Sequence, residues 1–272
     1  TSTTGIFSIA LPVIDITSPA AGDTCFATGA YNITWNTTGS VSNNLSVQYR
    51  LNSGSWTNVS PAPTAQQISN HSYAWTVPDS PGASAEVRIV DNNRTEVVDT
   101  AGPLTIVAPS VSVVMPDASQ AGEDAWVVGT QHAVNWTSDG GPHGAIRSLR
   151  LQYTTNGTDF TTIATINDEA LISADSGSYT WTVPDAVSTT ARIRLFDPTR
   201  TATSALSDAF EVAAPSLTIT SPNQGTENWI IGTDNDITWY SVGNIVGPLH
   251  LYYTVNGTDW IEIAGFDGVN DG

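Results

Sequence analysis

Lysine is absent from all 272 residues, and eight arginines are the whole basic complement against 26 acidic side chains. The net charge is −18, and charged residues make up only 12% of the chain. Phosphate neutralisation needs a basic stripe, so nucleic acid is excluded as a partner, and an anionic membrane surface is disfavoured for the same reason. Without lysine there is no Schiff base, no phosphate-loop lysine and no Lys–Asn isopeptide crosslink. Cysteine is limited to Cys25, which rules out an intrachain disulfide and a C-x-x-C zinc or redox pair. No apolar run approaches the ~20 residues that cross a bilayer, so membrane insertion is not expected. Thr1 does not open an Arg- or Lys-led leader, which fits a mature chain or a fragment.

What is present is a repeat. Hydrophobic residues are 40% of the chain, with nine Trp, eight Tyr and six Phe, enough to bury cores. Three segments open alike: Ile16-Thr17-Ser18-Pro19, Val113-Val114-Met115-Pro116 and Ile219-Thr220-Ser221-Pro222. An aromatic followed by Gly comes next, Phe26 to Gly29, Trp126 to Gly129 and Trp229 to Gly232. Then come Ile33-Thr34-Trp35, Val134-Asn135-Trp136 and Ile237-Thr238-Trp239. Hairpin patterns follow, Val47-Gln48-Tyr49 with Trp56, Leu151-Gln152-Tyr153 with Phe160, and Leu251-Tyr252-Tyr253 with Trp260. Asn156-Gly157 and Asn256-Gly257 suggest type I′ turns between the arms. The second half of the unit occurs twice: Tyr73-Ala74-Trp75-Thr76-Val77-Pro78 matches Tyr179-Thr180-Trp181-Thr182-Val183-Pro184, and Val87-Arg88-Ile89-Val90-Asp91 matches Ile193-Arg194-Leu195-Phe196-Asp197.

Phe7-Ser8-Ile9-Ala10-Leu11-Pro12 aligns with the closing segment Phe210-Glu211-Val212-Ala213-Ala214-Pro215. The chain is therefore divided at its joint prolines. Residues 1–12 are the final strand of a preceding module or a donor strand. Residues 13–109 and 110–215 are whole modules, and 216–272 is the first half of a third. Short period-2 segments separated by Gly, Pro, Asn and Asp, with no useful helical period, predict an all-β chain of tandem Ig-like β-sandwich modules, end to end, with an incomplete module at each end. Alternation places Tyr179, Trp181 and Val183 on one face and Thr180 and Thr182 on the other, with Ile193 and Leu195 opposite Arg192 and Arg194. The recurring Trp residues are expected in the cores.

These motifs, from Ile16-Thr17-Ser18-Pro19 to Val87-Arg88-Ile89-Val90-Asp91, resemble the Ser-Thr-rich, GPI-anchored and yeast cell-wall-assembly N-terminal module family, which recurs in tandem in prokaryotic surface proteins. The resemblance spans nearly the whole chain. It implies an Ig-like fold, an extracellular or cell-surface setting and no known active site. Fold-level resemblance does not by itself give function.

The residues suggest little catalytic chemistry. Gly82-Ala83-Ser84-Ala85-Glu86 lacks the closing Gly of a nucleophile elbow. His71, His132, His143 and His250 are scattered, without paired metal-ligand spacing, and read as solvated loop residues. Cys25 reads as a small buried apolar residue. Asp outnumbers Glu by 19 to 7 and gathers in loops. Asp91 and Asp197 end equivalent strands, and Asp168, Glu169 and Asp175, with Asp267 and Asp271 in the matching loop, are weak candidates for Ca2+. No metal site or other cofactor is assigned beyond these. Asp also serves as a turn residue through its own hydrogen bonds. Nine Asn-x-Ser/Thr sequons, at Asn32, Asn36, Asn44, Asn58, Asn70, Asn93, Asn135, Asn156 and Asn256, are candidate acceptors for N-linked glycans.

The functional expectation is architectural: a non-enzymatic structural repeat protein, extracellular or on the cell surface. It would form a fibre, filament or sheath by head-to-tail association of copies or as a segment of a longer chain. Half a sandwich exposes an apolar face and unpaired strand edges. Phe7, Ile9 and Leu11 would form the self-association strand, added by β-augmentation. Its partners would be copies of itself or flanking modules. The alternative is an adhesin or cell-wall carbohydrate-binding module.

Overall fold

The computed structural model describes residues 8–117, 126–140, 144–167, 172 and 176–264. Its strands fall into three groups along the chain. In the first, β1 (Val13–Ser18) and β3 (Ala30–Thr38) join β6 (Ser72–Thr76) in a sheet of order β1-β3-β6. The second sheet of this group holds β2 (Thr24–Phe26), β4 (Leu45–Leu51), β5 (Thr57–Asn58), β7 (Ser84–Asp91) and β8 (Arg94–Val107), in the order β2-β8-β7-β4-β5. One short helix, α1 (Ala65–Ser69), precedes β6 and starts on a capping box between Thr64 and Gln67. The strands form because their residues alternate: β7 buries every second side chain from Ala85 to Asp91. Ile14, Ile33, Trp35, Trp75, Val87, Ile89 and Ile106 meet in one core between the sheets.

The second group repeats the plan. β9 (Ser110–Met115), β11 (Gln131–Asp139) and β14 (Ser176–Thr182) form one sheet, in the order β14-β11-β9. β10 (Trp126–Val127), β12 (Leu149–Thr154), β13 (Thr161–Ile166), β15 (Ser188–Asp197) and β17 (Phe210–Ala213) form the other, in the order β10-β17-β15-β12-β13, with β16 (Arg200–Leu206) also on β15. The single long β8 of the first group is thus replaced by β16 and β17. Ser207 marks the break, and its hydroxyl accepts the Ile193 amide at 2.9 Å. Trp126, Trp136, Trp181, Leu151, Ile193 and Val212 share the second core. Trp181 and Val183 point inward, as do Ile193 and Leu195, as alternation predicts.

In the third group, β18 (Ser216–Ser221) pairs with β19 (Thr238–Val242), and β20 (Tyr252–Tyr253) with β21 (Ile261–Glu262). These match β9, β11, β12 and β13 in order. The chain is all-β, built of tandem Ig-like β-sandwich modules placed end to end. Leu217, Ile219, Tyr240, Val242 and Ile261, on these strands, are exposed. At the other end, Ser8–Leu11 is exposed and joins no sheet of its own chain.

Three sequence expectations are corrected. Asn156 and Asn256 do not make type I′ turns, because only Gly157 and Gly257 have positive φ. Instead the Asn156 side-chain oxygen accepts the Thr158 and Asp159 amides, each at 2.9 Å, and Asn256 repeats this for Thr258 and Asp259. The turn with two left-handed central residues is Asn52-Ser53 (φ 48° and 59°), closed by the Gly54 amide on the Leu51 carbonyl at 2.8 Å. Trp56 is not a core residue; it lies outside, beneath Arg50 and Arg88, whose guanidinium carbons sit 4.6 and 4.2 Å from its ring centre. His132 is not a solvated loop residue, since it lies in β11 and stacks on Trp126 with ring centres 4.5 Å apart.

Candidate functional site

The most repeated geometry in the molecule lies where units meet. The equivalent strands β3, β11 and β19 each run into a glycine with positive φ: Gly39 (77°), Gly140 (96°) and Gly243 (84°). A side chain would be crowded at Gly39 and Gly140 and would clash outright at Gly243. A Cβ on Gly39 would come 3.3 Å from Cβ of Pro12. One on Gly140 would reach the Phe26 ring at 3.0 Å and Pro109 at 3.1 Å. One on Gly243 would strike Val127 Cγ1 and the Val128 carbonyl oxygen at 2.5 Å, with Pro215 at 3.3 Å. Glycine is required for both reasons, the left-handed backbone and the close approach. Every corner thus rests on the joint proline that immediately precedes its own unit. Gly140 and Gly243 also rest on a residue of the unit before, Phe26 or Val127.

Short edge strands present those receiving residues. β2 runs parallel to the end of β8, pairing Cys25 with Ile106 and Phe26 with Val107. β10 runs parallel to β17, pairing Trp126 with Val212 and Val127 with Ala213. The next amides, of Ala27 and Val128, donate to the Val107 and Ala213 carbonyls at 2.8 and 3.0 Å. A left-handed residue follows, Thr28 (66°) or Gly129 (85°), whose amide reaches the Val77 or Val183 carbonyl. This pairing corrects the sequence alignment by one residue. Cys25, not Phe26, is the counterpart of Trp126, and Phe26 matches Val127. Sequence reasoning missed this because Thr rarely adopts the left-handed region, so Gly29 looked like the partner of Gly129.

Further bonds tie the joints. The Asn244 amide donates to the Val128 carbonyl at 2.8 Å, and the Thr28 hydroxyl to the Ala145 carbonyl at 3.3 Å. Arg200 forms an ion pair with Asp79 across the first joint. The Thr203 hydroxyl donates to the carbonyl of Pro109 at 3.1 Å.

The third group carries the same bend without its cover. Gly232 has φ 82°, and the Thr233 amide returns to the Ile230 carbonyl at 3.1 Å, as the Thr130 amide does to Val127 at 3.0 Å. Trp229, Ile230 and Ile231 therefore correspond to Trp126, Val127 and Val128. Trp229 is 43% exposed where Trp126 is 3%. Ile231 is wholly exposed, whereas Val128 is buried. Counting back three residues from the joint proline, Ile9 corresponds to Ile106 and Val212. Those two are fully buried, and Ile9 is 88% exposed. Leu11 is also exposed, and Phe7 lies outside the described residues.

The remaining candidates disperse. Asp168, Glu169, Asp175, Asp267 and Asp271 lie outside the described residues, as does His143. Among the described residues no group of three His, Cys, Asp or Glu side chains is placed to hold a metal. Asp91 and Asp197 are buried and cap turns. The Asp91 carboxylate accepts the Ser42 hydroxyl at 2.5 Å, the Ser42 amide at 3.0 Å and the Asn93 amide at 2.9 Å. Burial pushes this acid up, but those hydrogen bonds and the nearby Arg94 outweigh it and hold it below the usual carboxylate range. Asp197 accepts the Thr199 amide and hydroxyl at 2.7 and 2.6 Å. Cys25 is buried, and burial, helped by Asp23, pushes its thiol up to about 11. Such a thiol stays protonated and unreactive at neutral pH. Ser84 enters β7 with its amide on Asn52 at 3.0 Å. His71 holds φ 51°, with its ring against Trp35, and His250 meets Glu262 at 2.6 Å. A polar recess of about 310 Å³ opens beside Trp35, Thr37, Asn43, Ile68 and His71.

Eight of the nine sequon asparagines are exposed, and Asn135 is half-buried in β11. The amide nitrogens of Asn44, Asn156 and Asn256 already donate to Asn93, Asp159 and Asp259. No helix among the described residues is long and apolar enough to cross a membrane.

No family model matches this chain, and no curated protein sequence matches it. Among solved structures, the fibronectin(III)-like modules of Clostridium thermocellum CbhA align with 74% of this chain and 93% of theirs, at 15% identity and a TM-score of 0.22. So loose a superposition carries no argument, and the sandwich architecture stands on the strand pairing described above.

Proposed function

We propose that this chain is a stretch of an extracellular or cell-surface structural protein that carries no catalysis. Its units build a fibre, filament or sheath, by head-to-tail association of copies or as a segment of a longer polypeptide. The observation that carries this reading is the joint. The same glycine corner, proline and edge-strand residue meet at Pro109 and again at Pro215, so one stacking rule relates successive units. A joint with so little room for a side chain restricts relative rotation, which suits a load-bearing rod. Repeats that contact only their neighbours propagate along one dimension. The resemblance to the Ser-Thr-rich, GPI-anchored module family supports a surface setting, and the exposed sequons suit glycans there. The Asp-rich loops are also proposed as calcium sites that would stiffen the joints.

Sedimentation and negative-stain electron microscopy of the purified chain test the reading. Linear assemblies with a repeat set by the unit length are expected. A chain that stays a compact monomer, with every backbone amide of 216–264 protected from hydrogen exchange, contradicts it.

A further inference from the structure

We infer that the Trp229–Gly232 bend is a docking site for a second copy of this chain, which places its residues Ser8–Leu11 alongside the bend and seats its Gly39 corner on Ile230. This rests on the end-to-end assembly proposed above and specifies its contact.

Three features agree on one register. The first is the edge strand. Trp126 pairs with Val212 and Cys25 with Ile106, residues three before a joint proline. Trp229 repeats that position, and Ile9 is three before Pro12, so Ile9 pairs with Trp229 and Ala10 with Ile230. Ile9 then moves from 88% exposure to a site whose two counterparts are fully buried.

The second feature is the main chain beyond the pair. Ala27 and Val128 donate their amides to the carbonyl two residues before the joint proline. Ile231 holds the equivalent place, and Ala10 is two residues before Pro12. The third is the corner. Gly140 lies against Phe26, and Gly243 against Val127. The matching pair is Gly39, already packed on Pro12, and Ile230, which is exposed. The close approach of Gly39 to Pro12 ties the corner to the end of the strand, so the two dock together.

Charge supports a second copy as the occupant. Neither Ser8–Val13 nor Trp229–Thr233 contains a charged residue, although the chain carries −18. The two surfaces are neutral windows through which like-charged copies can meet. Ser8–Leu11 supplies the closing strand and not the counterparts of β14 and β15. The contact is therefore an end-to-end joint and not a full closure of the third core.

Two variants test this, each crippling one side. Ile9→Asp spoils the incoming strand, and Ile230→Arg the receiving bend. Each alone should stay monomeric by light scattering under conditions where the unmodified chain assembles. Mixed, they should form capped one-to-one dimers, because each retains the half that the other lacks. Register is read by disulfide trapping. Ala10→Cys combined with Ile230→Cys should give an intermolecular ladder on non-reducing gels, while Ala10→Cys with Ile231→Cys, on opposite faces, should not. Cys25 is buried and stays silent. If the unmodified chain assembles while Ile9→Asp assembles equally well and no ladder forms, this contact is wrong and the architectural reading survives. If the unmodified chain stays monomeric at high concentration and the mixture gives no dimer, both fail.

Discussion

Asp91 and Asp197 are acids that fold a turn. Each closes a long strand, is almost fully buried, and spends its oxygens on the amides and hydroxyls of the following turn or a nearby loop. Their equivalence was visible in the sequence as the same strand end in two repeats. Their burial was not, because a sequence motif ending in Asp reads equally as a turn, a metal ligand or a solvated end. The Asp91 carboxyl is held below its unfolded value, so the folded state favours the ionised form. The stabilisation is therefore present above the unfolded pKa of about 3.9 and is lost as pH falls through the lower folded value. Asp91→Asn should cost about 1–3 kcal/mol at neutral pH, the scale of losing charged hydrogen bonds in a buried place. It should also flatten the acid limb of the stability curve. Urea unfolding at pH 7 and at stepped values down to pH 3 measures both. An unchanged acid limb would remove Asp91 from that account.

Alternation along strands is the feature that the sequence carried best. The faces of β14 and β15 follow it residue by residue, because one side of each strand meets the core and the other meets water. The hairpin loops were less legible. Asn-Gly suggests a two-residue turn, yet Asn156 closes a wider loop with its side chain, and the tight turn sits at Asn52-Ser53, where neither central residue is Gly. The outer face of the second sheet was also misread at Trp56, since the recurring Trp residues were expected inside. Instead Arg88 lies between the Trp56 ring and the Gln48 side-chain oxygen, 2.6 Å from its Nε. Arg194 lies in the same way between Phe160, at 3.9 Å, and Gln152. These ladders tie β7 to β4 and the start of β5 in one unit, and β15 to β12 and the start of β13 in the next. A double-mutant cycle on Arg88→Ala and Trp56→Ala should return a coupling of about 0.5–1 kcal/mol, the scale of a partly exposed cation–π pair. Thermal unfolding of the four proteins measures it. A coupling near zero would make the stacking incidental to stability.

At the scale of the molecule, the sequence showed that a unit recurs, but not how units touch. A joint is a relation between residues about a hundred positions apart, such as Gly140 with Phe26, and a glycine that looks like any loop glycine gives no hint of the ring pressed against it. Two forces oppose each other when such units of separate copies approach. Apolar contact between Ile9, Ile230 and their surroundings favours association and is nearly independent of salt. A charge of −18 on each copy opposes it, and that repulsion is long-ranged at low ionic strength. The screening length falls from about 30 Å at 0.01 M salt to about 8 Å at 0.15 M. The docking surfaces are uncharged, so screening weakens the repulsion without weakening the contact. Assembly should therefore be suppressed at 0.01 M sodium chloride and rise steeply by 0.15 M, as followed by right-angle light scattering. Ion pairs of the Arg200–Asp79 kind would give the opposite trend if they dominated, because salt screens them. Scattering that falls as salt is added would replace the apolar joint with an electrostatic one.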